Sequence, residues 1–303
     1  MYCLHIVIPC YNEKEVLPET SKRVGELLRG LIQSGRVTSG SRVVFVDDGS
    51  RDTTWQIISE LHESDAIFSG VKLSRNRGHQ NALLAGLTEG SRKADVTVSM
   101  DADLQDDMTA IYEMLTKYES GCEVVYGVRS ARDTDTGFKK FTAEGFYKLT
   151  AALGGEIVFN HADFRLLGRN ALNALDEYGE KNLFLRGIVP MLGYKSDIVY
   201  YKRAERFAGE SKYPLKKMLA FAADGITSLS VKPLRYVGGF GLIMFAVCGV
   251  LSVFLRGNGQ LIATVWAAAG LILAALSIVG EYVGKTYIET KQRPRYIIET
   301  ILE

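Results

Sequence analysis

The sequence predicts an α/β protein with a mostly parallel sheet covered on both faces, followed by a membrane-associated C-terminal part. Three observations predict it. Short apolar runs alternate with helical patterns from Leu4 through Tyr126. Three of those runs end in polar clusters: Tyr11-Asn12-Glu13, Asp47-Asp48-Gly49-Ser50 and Asp101 to Gln105. Two long uncharged runs, Tyr236 to Leu255 and Leu261 to Gly280, stand near the C-terminus.

Taken in order, Leu4 to Cys10 is a nearly continuous apolar run, the pattern of a strand buried on both faces. A helical stretch follows over Lys14 to Gln33. Arg42 to Val46 reads as a second strand and Thr53 to His62 as a second helix. Ile67 to Leu73 is a third strand, followed by a helix from His79 to Glu89. Val96 to Met100 is a fourth strand, with a helix over Met108 to Glu119, and Glu123 to Tyr126 is a fifth. This alternation places helices on both faces of one sheet. Ligands of such sheets bind outside the carboxyl ends of the strands. From about Arg129 the rhythm changes. Gly137 to Leu153 and Tyr213 to Leu229 mix aromatic residues and lysines at helical spacing. Such helices lie in a membrane interface or pack on the sheet.

Asp101 and Asp103, two apart at a strand end, with Gln105 two further on, can turn oxygen ligands towards one hard divalent cation. Mg2+ and Mn2+ favour these ligands and keep positions open for a substrate's phosphates. Acidic pairs at strand ends also occur as plain solvated turns, so the motif gains weight from the clusters around it. Asp106 and Asp107 are placed to favour the next helix through its dipole. His79, at a helix start, reads as a hydrogen-bonding or capping group rather than a metal ligand.

At 303 residues the chain has room for one large domain or two smaller ones, and 47% hydrophobic residues supply a core. A net charge of +1 lends no support to a nucleic-acid partner. Each uncharged C-terminal run is about long enough to cross a bilayer core of about 30 Å. The short link Arg256 to Gln260 predicts an antiparallel hairpin. Lys232, Arg235, Lys285, Lys291, Arg293 and Arg295 flank its outer ends, against Arg256 alone in the link. The positive-inside rule then puts both termini in the cytoplasm. No signal peptide precedes Leu4. Cys3, Cys10, Cys122 and Cys248 show neither metal spacing nor a disulfide framework, as in a reducing compartment. Ala267 to Gly270 and Gly238, Gly239 and Gly241 allow close helix packing, within the hairpin or in a homo-oligomer.

Six pieces in order carry a resemblance: Pro9-Cys-Tyr-Asn-Glu13, Val46-Asp-Asp-Gly-Ser-Arg-Asp-Thr53, Ser74-Arg-Asn-Arg-Gly-His79, Asp101-Ala-Asp-Leu-Gln-Asp106, Asp163-Phe-Arg-Leu166 and Arg206-Phe-Ala-Gly-Glu-Ser-Lys-Tyr213. With the two C-terminal runs, the chain resembles the polyprenyl-phosphate glycosyltransferases of glycosyltransferase family 2. The bactoprenol glucosyltransferases are nearest, the dolichol-phosphate mannose synthases more distant. The resemblance implies a GT-A type, Rossmann-like nucleotide-sugar domain over residues 1–212, with an acceptor-side part from about 129. It implies a juxtamembrane amphipathic helix over 213–230, two transmembrane helices within 231–284 and a cytoplasmic tail over 285–303. The implied reaction is inverting transfer of one sugar, from UDP-glucose or UDP-N-acetylglucosamine, to undecaprenyl phosphate at a bacterial cell membrane, for cell-envelope glycosylation. Another lipid acceptor, such as a diacylglycerol or ceramide, and a non-catalytic nucleotide-sugar-binding membrane protein are the alternatives.

Residue roles follow from the same resemblance. Asp47 and Asp48 contact the donor's uridine part, with Pro9, Tyr11 and Glu13 shaping that pocket. Asp103 and Gln105 bind Mg2+ or Mn2+, with Asp101 assisting at the metal or the nucleotide. Arg206, Ser211 and Lys212 close over the donor diphosphate. Arg129 meets the lipid phosphate, with help from Lys139 or Lys140, and Asp163 and Arg165 line the acceptor side. Asp101, Asp103, Asp163, Arg206 and Lys212 form the implied catalytic set. Breaking a sugar–diphosphate bond leaves negative charge on the nucleotide, and nearby cations stabilise it as it develops. Gln292-Arg-Pro-Arg-Tyr296 is similar to the Gln-x-x-Arg-Trp signature of processive polysaccharide synthases. It follows the last apolar run and ends in Tyr, so it reads as a basic tail.

Overall fold

A computed structural model of the protein describes residues 1–130, 161–181, 183–202 and 258–303, together with positions 234, 236–241, 243–244 and 246–247. The helices expected over 137–153 and 213–229 lie outside the described residues.

The alternation appears as β1 (Leu4–Cys10), α1 (Leu17–Gln33), β2 (Arg42–Asp47), α2 (Thr54–Ser64), β3 (Phe68–Leu73), α3 (His79–Lys93), β4 (Val96–Ser99), α4 (Ala110–Glu119) and β5 (Val124–Arg129). α1 starts three residues later than expected, because Pro18 sits in its first turn, where a missing N–H costs nothing. β5 runs three residues beyond its expected end and carries Arg129 to the sheet edge. After it come β6 (His161–Gly168), α5 (Arg169–Glu177), α6 (Leu185–Met191) and β7 (Ser196–Tyr201), then α7 (Asn258–Thr290) and β8 (Ile298–Leu302).

The described strands form one sheet in the order β7-β5-β6-β4-β1-β2-β3-β8. β1 to β4 are parallel, β6 runs antiparallel between β4 and β5, and β7 is parallel to β5. Two antiparallel steps restore direction, so β5 and β7 end on the same edge as β1, β2, β3 and β4. Strand alternation divides the core. Leu4, Ile6 and Ile8 join one buried cluster with residues of α1, α2 and α4, and Val7 joins the other with residues of α3, α5 and α6. Each such side chain contributes roughly 1.5–3 kcal/mol through burial, which makes the sheet a stiff mount for the loops at its edge.

Among the described residues one helix is long and apolar enough to cross a membrane, Ala267–Thr290 within α7, with mean hydropathy 1.7. This corrects the expected pair of spans. The second span is present but belongs to a longer helix that begins inside the expected link and continues ten residues past Gly280. Glu281 and Lys285 extend it as an i,i+4 pair. The first expected span is helical at its described positions up to 247 and otherwise lies outside the described residues. Leu273, Leu276 and Val283 on α7 are exposed.

The basic segment after α7 also holds more than the sequence predicts. β8 adds an antiparallel edge strand to β3, with Gly70 opposite Leu302 and Lys72 opposite Thr300. Lys72 pairs with Glu299 at 2.9 Å and Lys93 with Glu303 at 2.5 Å. The Lys181 amide donates to Glu289 at the end of α7 at 2.8 Å. The C-terminal helix is thereby fixed at its end to the α/β unit.

Candidate active site

The polar clusters meet at the shared strand edge. Beyond β1, Asn12 adopts φ 54° and ties this turn to the next: its amide donates to Ser50 Oγ at 2.9 Å, and its Oδ1 accepts the Arg51 amide at 2.8 Å. Glu13 is anchored by its amide on Thr54 Oγ1 at 2.9 Å. Pro9 is buried in β1, and Tyr11 and Glu13 are partly exposed at its end. Gly49 has φ +64°, and a Cβ there would lie 2.5 Å from the Arg75 carbonyl carbon, so only glycine lets these two loops touch.

Asp47 and Asp48 are both buried, and burial pushes both carboxyls up from their ordinary range. Asp47 accepts from the Ser50 amide at 3.3 Å. Asp48 accepts from the amides of Arg77 at 2.6 Å and Gly78 at 2.9 Å. Asp47 has no exposed surface to offer. Asp48 holds the loop that leads into α3.

In the loop after β4, Asp101, Asp103 and Gln105 are partly exposed and alternate with buried Ala102 and Leu104. Leu104 takes φ 57°, an uncommon conformation for a branched residue, and Asp103 Oδ1 accepts the Gln105 amide at 3.2 Å. Three oxygen-bearing side chains thus point away from the core on one short turn, which fits a hard divalent cation. Among the described residues no three His, Cys, Asp or Glu side chains are arranged so as to hold a metal ion by themselves. A cation bound at Asp101, Asp103 and Gln105 would need further oxygen ligands from outside these side chains. Asp107 caps its own turn through Thr109, at 2.9 Å to the amide and 2.6 Å to the hydroxyl. Asp106 does not favour the helix as expected. It points inward, where burial first and the Asp101 charge second push its carboxyl up to about 6.

β6 brings the other half of the site. Ser99 pairs with Arg165, so two residues further along each strand Asp101 and Asp163 come to the same place. Asp163 lies among three cationic groups. Arg165 Nη2 is 2.5 Å away, Arg186 donates through Nε at 3.2 Å and Nη2 at 3.0 Å, and His79 Nε2 is 3.6 Å away. Burial alone would raise the Asp163 carboxyl. The charges of Arg186, Arg165 and His79 outweigh it and hold the group well below the usual carboxylate range. Arg165 is 1% exposed and also donates to the Leu185 carbonyl at 3.3 Å. It braces Asp163 from within the core. Arg186, partly exposed at the start of α6, was not predicted. Its one sequence signal is a lone charge inside Leu183-Phe-Leu-Arg-Gly-Ile-Val189.

His79 bridges the two halves, with Nε2 3.5 Å from Asp101 and 3.6 Å from Asp163. Burial lowers its pKa, but the bond to Asp163 and the two negative charges prevail and raise it to about 9. A raised folded-state pKa stabilises the protein fully below the unfolded value of about 6.5, with the gain lost as pH rises through about 9. In metal-free protein, the melting-temperature difference between wild type and His79→Gln is expected to be largest near pH 6 and to shrink steadily towards pH 9. A difference independent of pH would remove the charge from His79.

Arg129 closes the site on the β5 side, with Nε donating to Tyr201 Oη at 3.3 Å. Lys139, Lys140, Arg206, Ser211 and Lys212 lie outside the described residues.

Residues 5–176 match the family described as Glycosyl transferase family 2. The chain is 48% identical to an uncharacterized glycosyltransferase, YkoT, of Bacillus subtilis, over 98% of this chain and 91% of that protein. It is 36% identical to a prophage bactoprenol glucosyl transferase homolog of Escherichia coli, over 98% of this chain and 99% of that protein. The same identity holds with a bactoprenol glucosyl transferase of Shigella phage SfV, over 98% of each. Among solved structures, a glucosyl-3-phosphoglycerate synthase of Mycobacterium tuberculosis aligns with TM-score 0.48 and 17% identity, over 75% of this chain and 78% of that one, a likeness too distant to transfer any property. The carboxylate-edged sheet, the family match and the full-length relatives agree: the chain belongs to glycosyltransferase family 2 and is a glycosyltransferase.

Proposed function

We propose that this glycosyltransferase moves a single sugar, with inversion, from a UDP-sugar to undecaprenyl phosphate, giving a lipid-linked sugar at the membrane surface. UDP-glucose and UDP-N-acetylglucosamine are the donors the reading favours. The observation that carries it is the continuity of α7 with β8. An exposed apolar helix of membrane-spanning length runs into a strand paired with β3 of the catalytic sheet. With that helix in a membrane, the connection would hold the strand edge, with its carboxylates and arginines, close to the bilayer surface, where a lipid's phosphate sits. The names of relatives 36% identical over their full lengths, bactoprenol glucosyl transferases, support the same acceptor. The bias of Lys and Arg in the flanks of the apolar region supports a cytoplasmic catalytic side.

In this reading the donor's nucleotide lies against the Tyr11–Glu13 and Asp48 loops, and its diphosphate faces Asp101, Asp103 and Gln105. Mg2+ or Mn2+ held there would offset the charge that develops on the departing nucleotide. Arg206, Ser211 and Lys212 would meet the diphosphate and add positive charge there. Arg129, aided by Lys139 or Lys140, grips the acceptor phosphate, since a guanidinium can meet two oxygens at once. A phosphate monoester with a second pKa of about 6 is already anionic at neutral pH. Asp163 therefore positions the acceptor or the sugar and removes no proton, in keeping with its low basicity and its three cationic neighbours.

Labelled donors tested with undecaprenyl phosphate, undecaprenol, a diacylglycerol and a ceramide discriminate the readings. Label is expected in the lipid fraction with undecaprenyl phosphate alone. Equal transfer to undecaprenol or to a neutral lipid would refute the phosphate acceptor.

A further inference from the structure

We propose that Tyr201, held by Asp106, is a positioning residue that fixes Arg129 for the acceptor phosphate. The inference rests on the lipid-phosphate reading above and adds residues that neither sequence motif nor relatives pointed to for this role.

The strand register brings these groups together. β5 and β7 run parallel and end in step, with Arg129 paired to Tyr201. Asp106 reaches the same place from the loop after β4. Tyr201 donates its hydroxyl proton to Asp106 Oδ1 at 2.6 Å and accepts from Arg129 Nε at 3.3 Å. The donor and acceptor roles are consistent along the chain of three, so each bond fixes the direction of the next. The Nε of Arg129 is thereby tied inside the protein, which fixes the plane in which its guanidinium is presented to a phosphate.

Two further observations favour positioning over plain sheet packing. Asp106 is buried, and its Oδ2 has no partner among the described residues. A buried carboxylate with one oxygen unmet destabilises a fold, and an apolar residue would pack there at lower cost. The Tyr201 ring, by contrast, is already fixed without its hydroxyl, edge-on to Phe164 with centroids 5.2 Å apart. The hydroxyl is thus dispensable for holding the ring and is needed for orienting what touches it.

Kinetics of Tyr201→Phe, Arg129→Ala and the double variant test this, in the full-length protein with undecaprenyl phosphate and a UDP-sugar. Tyr201→Phe keeps the ring against Phe164 and is expected to raise the KM for undecaprenyl phosphate roughly tenfold, the size of one charge-assisted hydrogen bond. The KM for the UDP-sugar and the kcat at saturating acceptor should stay within about twofold. Because Tyr201 acts through Arg129, the double variant should match Arg129→Ala within about twofold. Asp106→Leu, which leaves the hydroxyl without its acceptor, should raise the same KM. An unchanged acceptor KM in Tyr201→Phe, a matching rise in the donor KM, or multiplicative effects in the double variant would each overturn the relay. If wild type makes no product with undecaprenyl phosphate, the acceptor reading fails, and the relay fails with it.

Discussion

Asp163→Ala is expected to lower the stability of the protein by about 3–5 kcal/mol, the usual consequence of leaving a buried charge without its partner. Arg165 is buried, and its guanidinium lies 2.5 Å from Asp163. Removing the carboxylate also releases Arg186, leaving two like charges in one place. Thermal unfolding of the purified protein should show a melting temperature well below that of wild type. Adding Arg165→Met should recover part of the loss, because an apolar side chain can fill the space without needing a partner. The pH dependence has a definite sign. The folded-state carboxyl titrates below its unfolded value of about 3.9, so the stabilisation is complete at neutral pH and is lost only as pH falls through that lower value. Asp163→Asn keeps the shape, and the fraction that folds should retain measurable turnover. A melting temperature unchanged in Asp163→Ala would show that the cluster does not hold this edge together.

Much of the sheet was legible because burial on both faces forces apolar runs. Leu4–Cys10 and Arg42–Asp47 could hardly be read otherwise. Their polar ends were legible for the same reason, since Glu13, Asp48 and Asp101 interrupt apolar runs at the point where the chain must leave the sheet. β6 and β7 were harder. His161–Gly168 carries Asp163 and Arg165 inside the strand, and the two charges mask its pattern although they neutralise each other in the fold. Ser196–Tyr201 begins with exposed polar residues and shows alternation only at its end. β8 looked like a basic tail because Gln292 to Arg295 dominate its approach, while the edge of β3 that it covers is far away in sequence.

The site follows the same division. Asp101, Asp103 and Gln105 are local in sequence and could be read as a unit. The Asp163 environment is assembled from α3, β6 and α6, so neither the bracing role of Arg165 nor the presence of Arg186 was visible without the fold. Asp106 was misread because position next to a helix suggests a dipole contact, and only the strand order reveals that Tyr201 lies closer.

The most direct test of metal-assisted sugar transfer at this edge is the rate of lipid-linked product formation by Asp103→Ala, with and without a chelator. Asp103 is partly exposed on the turn beyond β4, so its loss should leave the fold intact. Losing stabilisation of charge on a leaving group commonly costs a hundredfold or more in rate. Turnover with undecaprenyl phosphate and a UDP-sugar is therefore expected to fall by at least about a hundredfold on substitution, and chelation should abolish it in wild type. Transfer that continues undiminished after both the substitution and chelation would contradict the assignment of Asp103 and of a divalent cation to this reaction.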